Sequence, residues 1–501
     1  MNFRELVNSL IKENLIFEVY VPENVKNQNS EIVSLISDSQ KVEKNIIFAC
    51  VKGGHFDGHT YALKAFEMGA SAILAEKKLE VPLPQIICEN TRSFMGFVAS
   101  SLYGYPCRKL QMVAITGTNG KTTSSFILKS LLEDAGKKTG LLGTVFYNDG
   151  VRNVDANHTT PEGSDLQYWL SRMVDNGCVT CVMETSSHAI EQGRISGVQY
   201  DRCGFTNLTV DHLDYHGTME NYFIAKKKLL NYTKSGWKLS VNIDDPYGER
   251  LWKEFDKKNI ITYSMEDRNA DFYAELINYS IEGTLVNIKT PDSNTFLKCM
   301  LPLLGTYNVM NVLQAISIAW SLGVKDDILF RSIKKMGQVP GRLERYFVKD
   351  KGTYIIDFAH TPDALEKTLT MLKSICKGRL FVVFGAGGDR DNSKRPMMGE
   401  VATRIADFAM ITSDNPRSED PNTIISEIEK GSIKNGNNYD LVADRKDAIY
   451  RCLGMLRGND ILLVAGKGAE QRQILKDKTI EFRDKDVLDE WCKENNAEVQ
   501  R

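Results

Sequence analysis

Gly117-Thr118-Asn119-Gly120-Lys121-Thr122-Thr123 is the stretch of this chain best suited to holding a phosphate. Glycines let backbone N–H groups wrap an anion, a lysine adds a point charge, and a following hydroxyl can ligate Mg²⁺. ATP is the expected ligand. The generic pattern GxxxxGK[ST] is incomplete, because its first glycine falls at Ile115, so the loop alone leaves kinase, ATPase and ligase chemistry open. Two further segments supply metal-binding residue types: Glu184-Thr185-Ser186-Ser187-His188, and the run from Asn207 through Asp211-His212-Leu213-Asp214-Tyr215-His216-Gly217. A carboxylate and an imidazole near a phosphate loop suit Mg²⁺ shared between protein and nucleotide. His212 and His216 are four apart, but the glutamate of an HExxH zinc motif is missing.

Positioning these groups requires strands that end where the loops begin. Leu110–Thr116 reads as a strand, and Leu128, Leu131, Leu132 and Ala135 recur with helical spacing until Gly136. Upstream, Asn45–Val51 and Ala70–Ala75 read as strands flanking a helix that ends near Gly69, and Tyr105-Pro106 marks a linker. Downstream, apolar runs at 354–356, 381–384, 409–412 and 461–464 alternate with helical patterns, which predicts a parallel sheet covered on both faces. In such sheets ligands sit beyond the carboxyl ends of the strands. Those ends carry Asp357, Gly385–Arg390, Asp414-Asn415-Pro416-Arg417 and Gly466-Lys467-Gly468.

Length and composition limit the alternatives. At about 100–200 residues per domain, 501 residues predict about three. The expected division is 1–107, 108–338 and 339–501. Lys plus Arg number 63 against 65 Asp plus Glu, so a net charge of -2 argues against a global grip on nucleic acid or an anionic membrane. No apolar run approaches the roughly 20 residues of a bilayer span, and the first residues lack the pattern of a secretory leader. A cytoplasmic protein is expected. Ten cysteines are too few for a disulfide scaffold, and Cys178 and Cys181, despite their CxxC spacing, read as buried thiols leading into the strand run Val182-Met183.

Taken in order, GTNGKTT, METSSH, DHLDYHG with Ala225-Lys226, GRLE, DFAHTPD, GGDRD, DNPR and GKG resemble the motifs of the Mur ligases of peptidoglycan synthesis. They resemble most the members that add the third residue of the stem peptide. GAGGDR alone is a poor dinucleotide fingerprint, since Arg390 stands where glycine or alanine belongs. The resemblance implies a three-domain α/β fold: an N-terminal mixed α/β nucleotide-sugar domain, a central P-loop ATPase-like parallel-sheet domain and a C-terminal Rossmann-like domain. It implies an ATP-dependent, ADP-forming amide ligase working through an acyl phosphate. Lys121, Glu184, His212 and Lys226 would be catalytic, with Thr122 or Thr123, Glu184, His212 and Lys226 around Mg²⁺. Family members carboxylate the lysine at position 226 with CO₂, converting a cation into an anionic oxygen donor. Read alone, Lys226-Lys227-Lys228 is better explained as a solvated basic helix turn, and only its alignment with DHLDYHG and Ala225 reverses that.

The resemblance further places ATP on residues 117–123 with Asn308, Arg342, Asp357 and His360, and the UDP-MurNAc-dipeptide on Ser39, Thr159, Thr160, Ser186, Gln192 and Arg194. Gln40 departs from the family's basic residue beside Ser39. For the incoming amine it points to Arg390, Asp414, Asn415, Arg417, Gly466 and Glu470. The DNPR variant is that of the members adding meso-2,6-diaminopimelate, whose distal carboxylate suits an arginine fork. Ala469 replaces the histidine usual in GKGHE. A relative using lysine or another amine is the alternative, and a non-catalytic nucleotide-binding homologue the less favoured one. A monomer is expected.

Overall fold

The computed structural model describes residues 1–500 except 24, 26–30, 55 and 294. The chain forms two compact units. The first comprises residues 1–274, 288–297 and 310–333; the second comprises 275–287, 298–309 and 334–501.

The first unit opens with α1 (Phe3–Lys12), β1 (Glu18–Tyr20), β2 (Ser34–Ile36), β3 (Ile46–Ala49), α2 (Ala62–Glu67), β4 (Ala72–Ala75), β5 (Gln85–Ile87) and α3 (Thr91–Leu102). Its five-stranded sheet has the order β1-β5-β4-β3-β2, parallel except for β1. β3 and β4 are buried at every residue, as continuous apolar strands between two covering layers must be. The predicted helix ending near Gly69 is only α2, preceded by a 3₁₀ turn at Gly58–Tyr61 that Asp57 caps.

A second sheet follows, built from β6 (Gln111–Thr116), α4 (Lys121–Asp134), β7 (Thr139–Leu142), β8 (Phe146–Asn148), β9 (Asn153–Asp155), α5 (Gly163–Asp175), β10 (Thr180–Glu184), α6 (Ser187–Glu191) and β11 (Tyr200–Phe205). It continues through α7 (Leu213–His216), α8 (Met219–Lys227), β12 (Thr233–Asn242), α9 (Pro246–Glu254) and β13 (Ile260–Ser264). β6 lies between β10 and β11, parallel to both, with Ile115 opposite Glu184 and Thr116 opposite Phe205. The carboxyl ends of three neighbouring strands therefore open onto one place. Cys178 and Cys181 are buried free thiols in this core. Next in the chain are β14 (Phe272–Ser280), β15 (Gly283–Lys289), β16 (Leu297–Leu301), α10 (Thr306–Ser321) and α11 (Asp326–Lys335).

The second unit carries β17 (Glu344–Val348), β18 (Gly352–Asp357), α12 (Pro362–Ile375), β19 (Leu380–Phe384), α13 (Lys394–Ile405), β20 (Phe408–Ile411) and α14 (Pro421–Ser432). They are followed by β21 (Tyr439–Leu441), α15 (Arg445–Met455), β22 (Ile461–Ala465), β23 (Arg472–Ile474), β24 (Thr479–Glu481), α16 (Asp484–Glu494) and β25 (Val499–Gln500). The sheet order is β21-β20-β19-β22-β18-β17-β25. Leu365, Leu369, Met398, Val401, Ile424 and Ile428 pack α12–α14 on one face, while Ile449, Leu453, Leu488 and Trp491 pack α15 and α16 on the other. The parallel alternation read from the sequence holds for β18–β22. At one edge it gives way to β17, antiparallel to β18, and β25, antiparallel to β17. A tight turn makes that reversal, with Asp350 at φ 60° and Gly352 at φ 130°.

Candidate active site

The phosphate loop leaves β6 and enters α4 with no slack. Gly117 has φ 139° and Gly120 φ 88°, conformations that side chains disfavour. A Cβ on Gly117 would lie 1.8 Å from Thr206 Oγ1, and one on Gly120 2.2 Å from Asn311 Oδ1. Asn207 braces the loop: its carbonyl accepts from Thr118 N at 2.8 Å and its Oδ1 from Asn119 N at 3.0 Å. Lys121 Nζ donates to the carbonyls of Gly117 and Thr118 at 2.9 and 2.8 Å. Loop amides, lysine and helix N-terminus together present one cationic face to a phosphate chain.

Glu184, last residue of β10, is 1% exposed. Its Oε2 accepts from Thr122 Oγ1 at 2.9 Å and Thr144 Oγ1 at 3.1 Å, and its Oε1 from Thr144 N at 2.9 Å. A Cβ on Gly143 would sit 2.2 Å from Oε1, so the bare backbone there makes room for the carboxylate. Three donors engage a group with about four lone-pair positions, leaving about one for a cation. Among the described residues no cluster of three or more His, Cys, Asp or Glu could hold a metal. A single carboxylate beside a helix-start hydroxyl is instead the donor set that fits Mg²⁺, which takes much of its coordination from phosphate and water.

Past β11, His212 adopts φ 52° at the start of α7. Its Nε2 lies 3.4 Å from Asp211 Oδ2, and its ring centroid 4.8 Å from that of His188. His216 Nε2 meets Ser187 Oγ at 2.9 Å and its ring stacks on Tyr222. Burial, then the neighbouring His212, His216 and Arg194, push His188 down to about 4. Burial lowers His212 as well, and Lys121 and Lys226 act in the same direction.

The three consecutive lysines separate sharply in environment. Lys227 and Lys228 pair with Glu254 and Glu191 at the surface, at 2.9 and 2.8 Å. Lys226 is 2% exposed, donates to Gly117 O at 2.8 Å and lies over the Tyr222 ring at 4.6 Å. Burial holds its ammonium well below the usual lysine range, and Lys121 adds to that.

Thr159, Thr160, Ser186, Gln192 and Arg194 form a second polar cluster next to Glu184. Thr159 Oγ1 is 3.1 Å from Thr144 Oγ1, and Thr160 Oγ1 donates to Glu184 O at 2.9 Å while accepting from Ser186 N at 3.0 Å. Arg194 donates to Gln192 Oε1 at 2.6 Å and pairs with Glu162 at 3.1 Å. Half-buried Ser39 lies in an otherwise exposed turn where Asp38 Oδ1 accepts from Gln40 N at 3.0 Å.

In the second unit Asn308 Nδ2 donates to Leu304 O at 2.8 Å. Asp357, at the end of β18, accepts from Leu343 N at 2.8 Å and Ala359 N at 3.0 Å. Burial raises its carboxyl against the opposing pull of Arg342. Arg342 lies over the Phe358 ring at 4.4 Å, and His360 Nδ1 is 2.8 Å from Phe358 O. Farther along the same sheet edge, Asn415 Oδ1 accepts from Lys467 Nζ at 3.2 Å and Ile474 N at 3.0 Å, and its Nδ2 donates to Glu470 Oε2 at 2.8 Å. A Cβ on Gly466 would lie 2.6 Å from Asp414 Oδ2. Arg417, at φ 52°, donates to Gly388 O at 2.7 Å. Burial lowers its guanidinium pKa, and next the charge of Arg390.

Three participants escaped the sequence. Thr144 carries no motif and owes its place to the pairing of β7 with β10, Leu142 opposite Met183. Asn311 stands one helical turn after Asn308, a spacing that could have revealed it. Lys467, which the sequence places in the strand-end segment Gly466-Lys467-Gly468 without a role of its own, is fully buried and donates to Glu470 Oε2 at 2.8 Å.

Known proteins match the chain along most of its length. Residues 115–319 match the Mur ligase middle domain, and 341–468 the Mur ligase, glutamate ligase domain. The chain is 41% identical over 488 residues to the UDP-N-acetylmuramoyl-L-alanyl-D-glutamate--2,6-diaminopimelate ligase of Clostridium botulinum, covering 96% of this chain and 99% of that one. It is 40% identical to the ligase of the same name from Geobacillus kaustophilus, covering 93% and 96%. A solved structure of a UDP-N-acetylmuramoyl-L-alanyl-D-glutamate--2,6-diaminopimelate ligase superposes with a TM-score of 0.66 at 29% identity over 99% of both chains. In fold alone the chain is also similar to a MurF ligase from Thermotoga maritima, TM-score 0.62 at 20% identity over 87% and 94%. With family models over 115–319 and 341–468 and relatives matched along nearly its whole length, the chain belongs to the Mur ligase family.

Proposed function

We propose that this ligase joins meso-2,6-diaminopimelate to UDP-N-acetylmuramoyl-L-alanyl-D-glutamate in peptidoglycan synthesis, with ATP converted to ADP and phosphate. Amide formation from a carboxylate requires that one oxygen become a good leaving group, which phosphorylation by ATP supplies. The chain must bring two anions together, so neutralisation is its main task. Lys121 and the loop amides hold the nucleotide phosphates. Thr122, Glu184 and His212 would hold Mg²⁺, which offsets phosphate charge when bound, together with Lys226 as its CO₂-derived carbamate. Thr159, Thr160, Ser186, Gln192 and Arg194 orient the UDP-sugar dipeptide beside that centre, and Ser39 contributes from the first sheet. Asn308, Arg342, Asp357 and His360, in the second unit, are assigned to the nucleotide as well.

The observation that carries the choice of amine is the meeting of three loops at the ends of β19, β20 and β22. There Arg417 and Arg390 offer charge to a distal carboxylate, and Asp414, Asn415, Gly466 and Glu470 receive the amino-acid end. Lysine would bring an ammonium to these arginines and leave them unpaired.

We assign the three segments 1–107, 108–338 and 339–501 to nucleotide-sugar, ATP and amine binding. We further propose a monomer working in the cytoplasm; the cysteines of the described residues, all free and nine of ten buried, suit a reducing compartment. Among those residues no helix is long and apolar enough to cross a membrane. Phosphate release from ATP, measured with the UDP-dipeptide and with diaminopimelate or lysine added in turn, tests the proposal. Release is expected to depend on diaminopimelate; no dependence on either amine would overturn the reading.

A further inference from the structure

Beneath the loops bearing Arg390 and Arg417 lies a third arginine that belongs to neither. Arg395, on α13, is 1% exposed. Its guanidinium forks onto Glu419, Nη1 to Oε2 at 2.8 Å and Nη2 to Oε1 at 2.9 Å. Nη1 also meets Glu427 Oε2 on α14 at 2.7 Å, and Nη2 the Gly387 carbonyl at 3.3 Å. The same Glu419 Oε1 accepts from Asp389 N at 2.5 Å, and the Asp389 carboxylate accepts from Ser418 N at 3.2 Å and Ser418 Oγ at 2.5 Å.

One buried cation thus ties the 385–391 loop to the 412–419 loop, with Asp389 and Ser418 fastening their outer rim. The fastening is close: a Cβ on Gly388 would lie 1.9 Å from Pro416 O, and one on Gly387 2.9 Å from Arg417 Nη1. It also works against electrostatics, since it holds Arg390 and Arg417 near enough for one to depress the ionisation of the other. Two like charges on separate loops would drift apart unless something else held the loops together.

We propose that Arg395 is a positioning residue that sets the spacing of Arg390 and Arg417, and through it the selection of an amine carrying a distal carboxylate; this rests on the amine site proposed above. Lysine cannot replace it, because a single ammonium cannot span both oxygens of Glu419 and the Gly387 carbonyl.

Steady-state kinetics of the full-length protein and Arg395→Lys, alongside their melting temperatures, test this. Losing one charge-assisted fork is expected to raise KM for diaminopimelate roughly tenfold and narrow its preference over lysine, with KM for ATP and kcat within about twofold. Ser418→Ala, an exposed change that keeps Arg395, is expected to raise the same KM by a smaller factor, roughly two- to threefold. Unchanged diaminopimelate KM in Arg395→Lys would overturn the inference, as would equal changes in both KM values. If Arg395→Lys does not fold, Ser418→Ala decides alone, and an unaltered KM there overturns it. A wild-type protein that ignores diaminopimelate would overturn the substrate reading itself, whereas a wild type that uses it beside insensitive variants overturns only the role of Arg395.

Discussion

Lys226 and Lys121 donate to the same atom, the carbonyl oxygen of Gly117, at 2.8 and 2.9 Å. Half-buried Lys121 also donates to Thr118 O, whereas buried Lys226 has a pKa well below the lysine range because of burial and then the charge of Lys121. An uncharged amine is the form that can attack CO₂: nitrogen bonds to carbon, a proton leaves to solvent, and an anionic carbamate remains.

Lys226→Ala is therefore expected to lose roughly 100-fold in turnover and to recover part of it with added short carboxylates. Amine-dependent phosphate release with and without acetate or formate measures this. Full activity without rescue would contradict the carbamate.

Thr144 fixes Glu184 through both its amide and its hydroxyl. Thr144→Val keeps the amide and removes the hydroxyl, and is expected to raise the Mg²⁺ concentration for half-maximal activity roughly fivefold, with Thr144→Ser close to wild type. Mg²⁺ titration of the initial rate reads this directly; an unchanged midpoint in the valine variant contradicts it.

His188 should remain uncharged through mild acid, since its folded pKa is about 4 against an ordinary 6.5. Between those values the unfolded chain binds a proton that the folded chain does not, so this group lowers stability as pH falls from about 6.5 to about 4 and contributes nothing above that window. NMR titration of the imidazole is expected to give a midpoint near 4. A midpoint near 6.5 would contradict the buried environment of His188.

Arg417→Lys removes the fork offered to a distal carboxylate while keeping the charge. We expect kcat/KM for diaminopimelate to fall by roughly 10–100-fold, with KM for ATP unchanged. Parallel kinetics with both substrates check this, and equal losses for the two would contradict it.

Some of this was legible in the sequence and some was not, for physical reasons. The phosphate loop showed itself because only glycine fits at 117 and 120, and the strands that feed it are continuous apolar runs. Lys226 was ambiguous: three lysines in a row share one local signature, and only packing against Tyr222 and Gly117 distinguishes the buried one from its surface-paired neighbours. Thr144 and Lys467 act through the register of distant strands and the folding back of a loop, which one chain does not print locally. β25 is two residues long and exists as a strand only because β17 offers it an edge.

A competition experiment tests ATP-driven joining of diaminopimelate to the UDP-dipeptide most directly. The protein is incubated with ATP, Mg²⁺, the UDP-dipeptide and equal concentrations of diaminopimelate and lysine, and the nucleotide-linked product is identified by mass spectrometry. The diaminopimelate tripeptide should dominate and ADP should match it one for one; a lysine tripeptide in excess, or ADP formed without any tripeptide, would contradict the account.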